Sequence, residues 1–434
     1  MIGPVARDEA GDEALLFVDA RQVVTCAGPA RARRGAEMND AAVRTNVSVA
    51  VVGDRIASVG EPRELDRAFP HARRISCRGC VLTPGLVDSH THALFGPPRA
   101  AEQEMRAAGT GYMEIARAGG GIHSSVRSLR ALGESELVDL ARPRLARLAA
   151  HGTTTVEIKS GYGLSVDDEL KSLRAIRRLA DELPMRIVPT WLGAHEIPLE
   201  ARAEPGGRAA YVDLLVGEML SKVASGGLAR FADVFCEPGA YTVDESRRIL
   251  LAARERGLGL KLHVDELEDG GGAELAAELA AVSADHLGAV SERGIRALAD
   301  SRTVATLLPA TLLFLGRTRQ APARALIEAG AAVALASDFN PGTSPTVNFP
   351  LVLTLGVSQL RMSVAEAMVA ATVNGAAALM LAGRTGQLAP GFSADLALFE
   401  ADDVRELPYW FGDRRCRGSW TRGKTCHHYE LGVS

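Results

Sequence analysis

Through the middle of the chain, apolar runs of strand length alternate with stretches whose apolar residues recur at helical spacing. Candidate strands are Gly85–His92, Thr153–Ser160, Arg186–His195, Asp233–Glu237, Gly259–Asp265, Ser283–Leu287, Thr303–Pro309 and Ala332–Asp338. Helical patterns fall between them at Ser165–Glu182, Arg208–Ser225, Val243–Arg256, Ala273–Ala281, Ser291–Asp300 and Ala323–Ala329, the last entered through Pro322, a residue suited to a first turn. Another helix, Val364–Ala382, follows the eighth strand. Strict alternation predicts a parallel sheet, and eight such units predict a (β/α)8 barrel. The flanks read differently. Short β-rich runs such as Ala14–Asp19 and Val47–Val59, the latter broken at Gly53-Asp54, precede the barrel. Similar runs return at Ala394–Phe399 and at Cys416–Lys424, with a turn at Arg422-Gly423. Both ends together predict one small β-sandwich, residues 1–84 with 390–434, around a barrel of residues 85–389.

Composition narrows the class. At 434 residues, 47% hydrophobic and 24% charged, the chain is ordinary for a soluble globular protein. A net charge of −4 argues against a nucleic-acid partner, which would want a basic face. Met1–Asp12 is polar and acidic, without the apolar core of a signal peptide, and the apolar runs stop well short of a membrane span. Scattered Cys26, Cys77, Cys80, Cys236, Cys416 and Cys426 suit a reducing cytoplasm better than a disulfide scaffold. Cys77 and Cys80 have C-x-x-C spacing but no second pair, and His427-His428 reads as a solvated tail.

In such barrels the chemistry gathers at the C-terminal ends of the strands. Val87-Asp88-Ser89-His90-Thr91-His92 ends the first strand. Alternate residues of a strand share a face, so His90 and His92 aim their imidazoles at one point, as a divalent metal requires. Lys159 and Tyr162 end the second strand, His195 the third, His263 the fifth, Asp285-His286 the sixth and Asp338 the eighth. His151 lies just before the second strand. One such histidine would usually be a satisfied core residue; six polar strand ends together point to a site.

These residues resemble the amidohydrolase superfamily and, within it, the imidazolonepropionase family. The resemblance covers nearly the whole chain. It is carried by Asp88–Arg99, Gly119-Gly120-Gly121-Ile122, His151–Leu164, Leu192–Pro198, His263–Glu266, Asp285-His286-Leu287, Asp338–Pro345 and, in the terminal sheets, Leu407-Pro408-Tyr409 with Phe411-Gly412. Gly96-Pro97-Pro98-Arg99 and Leu308-Pro309-Ala310 depart from the family pattern and alter loops near the pocket. The resemblance implies one metal ion, zinc or iron, divalent or trivalent, on His90, His92, His263 and Asp338. It implies hydrolysis of 4-imidazolone-5-propanoate to N-formimidoyl-L-glutamate by metal-activated water. Glu266, His286 and Asp338 would handle protons and charge, with which of them acts as general base left open. Arg99 would pair with the propionate. Tyr162, His195, Glu266, Asn340, Gly342 and Thr343 would line substrate or product, Gly342 through its backbone. Strand four ends Val234-Phe235-Cys236-Glu237 without a lysine to bridge a second metal, so a mononuclear site is expected. Lys159 is expected to be a buried structural charge. The family also suggests a homodimer, in the cytoplasm, acting on a small molecule without nucleic acid or membrane. A cytosine-type deaminase on the same barrel is the rival enzyme, and Arg99 discriminates, since a neutral pyrimidine offers no carboxylate. A catalytically dead scaffold barrel is the rival of another class.

Overall fold

The computed structural model describes residues 14–110, 114 and 120–428; Met1–Asp12 and Gly119 of the sequence reading lie outside them. Eight parallel strands form one sheet in chain order: Leu86–Asp88, Thr153–Lys159, Arg186–Ala194, Phe231–Cys236, Gly259–Val264, Ser283–His286, Val304–Leu307 and Ala332–Leu335. The ends close on each other. Thr91 bridges Phe339, Asp338 N donates to His90 O (3.0 Å), and Asp88 accepts from Ser337 N (2.9 Å) and Ser337 Oγ (2.5 Å). The result is a (β/α)8 barrel.

All eight expected strands are present, but the first and last stop early. The chain past Asp88 leaves the ladder, and Asp338 sits at φ 52°, outside any strand conformation. Those departures turn His90, His92 and Asp338 inward over the barrel mouth. The Arg208–Ser225 helix contains a π-helical turn at Leu215–Met219. Helices Ala100–Ala107, Ile122–Ala131 and Glu134–Ala149 lead into strand two, and Phe349–Ser358 follows strand eight.

Two further sheets stack beside the barrel. One runs Arg55–Gly60, Ser48–Val52, Ala14–Val18, Arg73–Ser76. The other runs Lys424–His428, Cys416–Thr421, Leu396–Glu400, Cys80–Pro84, Gln22–Val24, Val43–Arg44, so both ends of the sequence build it. Leu15, Phe17, Val49, Leu82, Leu396 and Trp420 form their shared core, with Phe17 edge-on to Trp420 at 5.0 Å. His427 and His428 belong to the last strand, paired with Ser419 and Gly418 of its neighbour; His428 is exposed there, as the sequence suggested, and His427 half-buried. The six-stranded sheet is tied to the barrel. Ser419 Oγ donates to Ala149 O (2.9 Å) and Thr421 Oγ1 to Thr154 O (3.1 Å). Gly152, at φ 93°, admits the Phe399 ring where a Cβ would come within 2.5 Å.

Candidate active site

The strand ends converge as the sequence predicts. His90 Nε2 and His92 Nε2 each lie 3.6 Å from Asp338 Oδ1, and His92 Nε2 lies 3.3 Å from His263 Nε2. His90 Nδ1 donates to Asp285 Oδ2 (2.6 Å) and His263 Nδ1 to Asp233 Oδ1 (3.1 Å). Each bond fixes a tautomer and leaves the Nε2 lone pair facing the centre. His90 Nε2 is buried and has no hydrogen-bond partner among the described residues. His90 Nε2, His92 Nε2 and Asp338 Oδ1 thus crowd one point, where the His90 lone pair meets no donor. A cation relieves that repulsion, so the donor set fits a metal ion, with nitrogen and oxygen ligands of the kind zinc and iron accept. Metal-competent groupings also take in His286 and His195. Burial drives His90, His92 and His286 well below the usual histidine range and His195 down to about 3, so these rings are neutral, as ligands must be.

Beneath the rings lies a buried charge cluster that sequence reasoning largely missed. Lys159 Nζ reaches Asp233 (2.6 Å), Glu157 (2.8 Å) and Asp285 (3.7 Å); Lys261 Nζ reaches Glu157 (3.2 Å), Asp285 (3.7 Å) and the carbonyl of Ser89 (2.9 Å). All five side chains are fully buried. Burial alone would strip the proton from Lys159, but Asp233, Glu157 and Asp285 outweigh it and raise its pKa. Burial likewise opposes ionisation of Asp233, yet His263 and Lys159 hold it well below the carboxylate range. Lys159 is therefore the structural charge the sequence suggested. A signal for the rest existed: Glu157/Lys159, Lys261/His263 and Ser283/Asp285 are polar at a spacing of two within apolar strands, which places each pair on one face.

Around this centre opens a cavity of about 690 Å³ lined by His92, Arg99, Tyr162, His195, Glu266, His286, Asp338, Asn340 and Thr343, among others. His195 stacks on His92 (4.9 Å between centroids) and donates through Nδ1 to Gly161 O (3.0 Å). Tyr162 is buried at 5.4 Å from the His195 ring. Glu266 Oε2 lies 3.7 Å from His286 Nδ1. Burial, with Asp338 and Glu237 nearby, pushes Glu266 up to about 8; burial pushes Asp338 up to about 6 despite the 2.6 Å hydrogen bond from Thr311. Glu237, which the sequence reading placed at the end of strand four without a role, accepts the backbone N–H groups of Glu266 (3.0 Å), Leu267 (2.9 Å) and Glu268 (2.9 Å) and so pins the loop carrying Glu266.

Asn340 turns inward on its own loop. Its Nδ2 donates to Asp338 O (2.7 Å) and Thr343 Oγ1 (2.9 Å), and its Oδ1 accepts from Gly342 N and Thr343 N. Arg99 lines the cavity but already holds Glu102, through Nε (2.9 Å) and Nη2 (2.7 Å). Sequence spacing gave no hint of that partner, because an Arg and a Glu three apart usually mark a solvated helix face.

Residues 96–427 match the model of the amidohydrolase family. The imidazolonepropionase of Symbiobacterium thermophilum is 48% identical over 402 residues, 92% of this chain and 93% of the relative. That of Geobacillus kaustophilus is 46% identical over 92% and 94%, and that of Solibacter usitatus 45% identical over 95% and 98%. Among solved structures, an adenosine deaminase from Xanthomonas campestris with bound zinc superposes with a TM-score of 0.69 at 19% identity, over 95% of this chain and 92% of that one. Atrazine chlorohydrolase from Arthrobacter aurescens TC1, complexed with zinc, gives 0.67 at 18% identity, over 95% and 94%. At those identities the structural likeness speaks to the fold alone.

Proposed function

We propose a mechanism on one premise: this chain belongs to the amidohydrolase family and, within it, to the imidazolonepropionase family. The reaction is hydrolysis of 4-imidazolone-5-propanoate to N-formimidoyl-L-glutamate in histidine degradation. Water adds to the ring carbonyl carbon, the C–N bond breaks, and the departing nitrogen takes a proton while a new carboxylate forms. The metal ligands are His90, His92, His263 and Asp338, zinc or iron being the candidates. When bound, the ion acts as a Lewis acid and brings the pKa of a water to about 7.

The chain's own groups divide the remaining work. Asp338 Oδ1, facing His90 and His92, takes the proton of the attacking water; Thr311 occupies Oδ2 and fixes the carboxylate's rotation. Glu266, raised to about 8, enters protonated and gives that proton to the departing nitrogen. His286 sits against Glu266 and the metal ligands, positioned to stabilise the developing oxyanion. Tyr162 and His195 wall the substrate ring, and the Asn340–Thr343 loop and Arg99 bound the end that receives its side chain. In this reading residues 85–389 are the catalytic barrel, and residues 1–84 with 390–434 the sheet domain.

The observation that carries the proposal is one cavity that holds a crowded cluster of metal-competent atoms together with Arg99, a guanidinium able to meet a remote carboxylate. A neutral pyrimidine offers that arginine no carboxylate. Pure, metal-loaded protein incubated with 4-imidazolone-5-propanoate should release N-formimidoyl-L-glutamate; an unchanged substrate overturns the proposal.

A further inference from the structure

Arg99 and Arg106 frame one corner of the cavity. Arg99 caps the N-terminus of helix Ala100–Ala107, Glu102 lies in its first turn and Arg106 in its last, so positions i, i+3 and i+7 share a face. Glu102 is the common partner. Its carboxylate accepts from Arg99 Nε and Nη2 and from Gly121 N (2.9 Å), while Arg106 Nη2 stays 3.8 Å away, beyond hydrogen-bond distance. Arg106 is held instead by its Nη1, which donates to Gly342 O (2.8 Å). Gly342 also abuts Arg99: a Cβ there would come within 2.5 Å of Arg99 Nη1. Both guanidinium groups therefore press on the same glycine turn.

Two consequences follow from charge and hydrogen bonding. Among the described residues, Glu102 is the sole carboxylate within 4.0 Å of either guanidinium, so the pair keeps one net positive charge in a mostly buried corner. Arg106 Nη2 is buried and has no hydrogen-bond partner among the described residues. A buried, unpaired N–H is costly, and an excess buried charge more so. Arg99, with its Nε–Nη2 edge committed to Glu102, keeps Nη1 as the nitrogen for a ligand. No described residue accepts from Arg99 Nη1 or from Arg106 Nη2, so the pair offers an uncommitted nitrogen from each residue.

We infer that Arg106 is a second anchor for the substrate's propionate, meeting one carboxylate oxygen while Arg99 meets the other. This rests on the proposed reaction and assigns the carboxylate to two residues rather than one. It also makes Gly342 a specificity residue, because any side chain there pushes Arg99 out of the pair.

The test uses wild type, R106M, R106K and R99M, each with its metal content measured. The probes are 3-(imidazol-4-yl)propanoate and its carboxylate-free counterpart 4-propylimidazole, read as competitive inhibition constants. For R106M the constant for the carboxylate probe should rise roughly tenfold or more, the worth of a charge-assisted hydrogen bond. The constant for 4-propylimidazole should stay within about twofold of wild type, R106K should recover part of the loss, and R99M should show the same selectivity. Equal weakening of both probes by R106M would reduce Arg106 to a prop for the Gly342 turn and overturn the inference, as would no change on either. A wild type that turns over 4-imidazolone-5-propanoate while R106M behaves in one of those ways sinks only the second anchor. A wild type inert toward that substrate sinks the reaction itself.

Discussion

Glu266 and His263 have different proposed roles, and single substitutions separate them. Glu266→Gln removes the transferable proton but keeps the size and the backbone N–H held by Glu237. Turnover should fall on the order of a hundredfold, the scale of a general acid–base group, with metal content unchanged in elemental analysis. Retained wild-type rates would leave proton handling to Asp338 and His286. His263→Ala removes a proposed ligand and also the donor that Asp233 accepts from, His263 Nδ1. Metal should drop from about one ion per chain to a small fraction of that; two ions in wild type would contradict a mononuclear site. The spacing of His90 and His92 was readable because strand geometry leaves little freedom in where alternate side chains point. Glu102, Asp233 and Glu237 were not, since what matters about them is which distant donor they accept from, and the chain alone does not fix that.

Strands two, four, five and six share one ionic layer, and its energetics belong to the layer. Lys159→Met would take the lysine from both Asp233 and Glu157, leaving Asp233 with His263 and Glu157 with Lys261. Breaking a buried pair typically costs about 3–5 kcal/mol, so urea unfolding should show a loss of that order. A loss under about 1 kcal/mol would mean that Lys261 compensates alone. A second element offers a pH test. The helix Val243–Glu255 opens on a reciprocal Thr242/Glu245 cap, and Arg208 binds Glu245 on the outside; that hydrogen bond, against a smaller opposing effect of burial, takes Glu245 from 4.5 down to about 2. A depressed carboxylate stabilises the fold above its unfolded pKa and loses that contribution as pH falls through its folded one. The gap in melting temperature between wild type and Glu245→Gln should therefore narrow as pH falls from about 4.5 to about 2. A gap independent of pH would show that the ion pair adds nothing. Elements with alternating or one-sided apolar patterns were legible. Phe349–Ser358 was not, because it is apolar nearly all round and carries no stripe to mark its period.

At the scale of the whole molecule, barrel and terminal sheets are joined by Ser419, Thr421, Phe399 and the Arg186–Asp395 pair. Heating should accordingly give one cooperative transition, with calorimetric and van't Hoff enthalpies in agreement; two resolved transitions would mean the sheets unfold by themselves. The sequence showed that both flanks were β-rich, yet not which strands pair. Turn chemistry sets the register of neighbours such as Ser48–Val52 and Arg55–Gly60, whereas nothing local joins Cys80–Pro84 to Leu396–Glu400. That last pairing has a consequence in time. Thr83 and Ala397 are 314 residues apart, so at roughly 5–20 residues per second a ribosome leaves the Cys80–Pro84 edge bare for about 15–60 s. All eight barrel strands emerge within that interval, and the nascent chain meanwhile carries an unpaired strand edge, the kind of surface that invites wrong partners and chaperones. Ribosome-stalled chains ending near residue 390 should then resist protease across the barrel while being cut in the strands before it; equal resistance in both regions would show that the edge is covered without its distant partner.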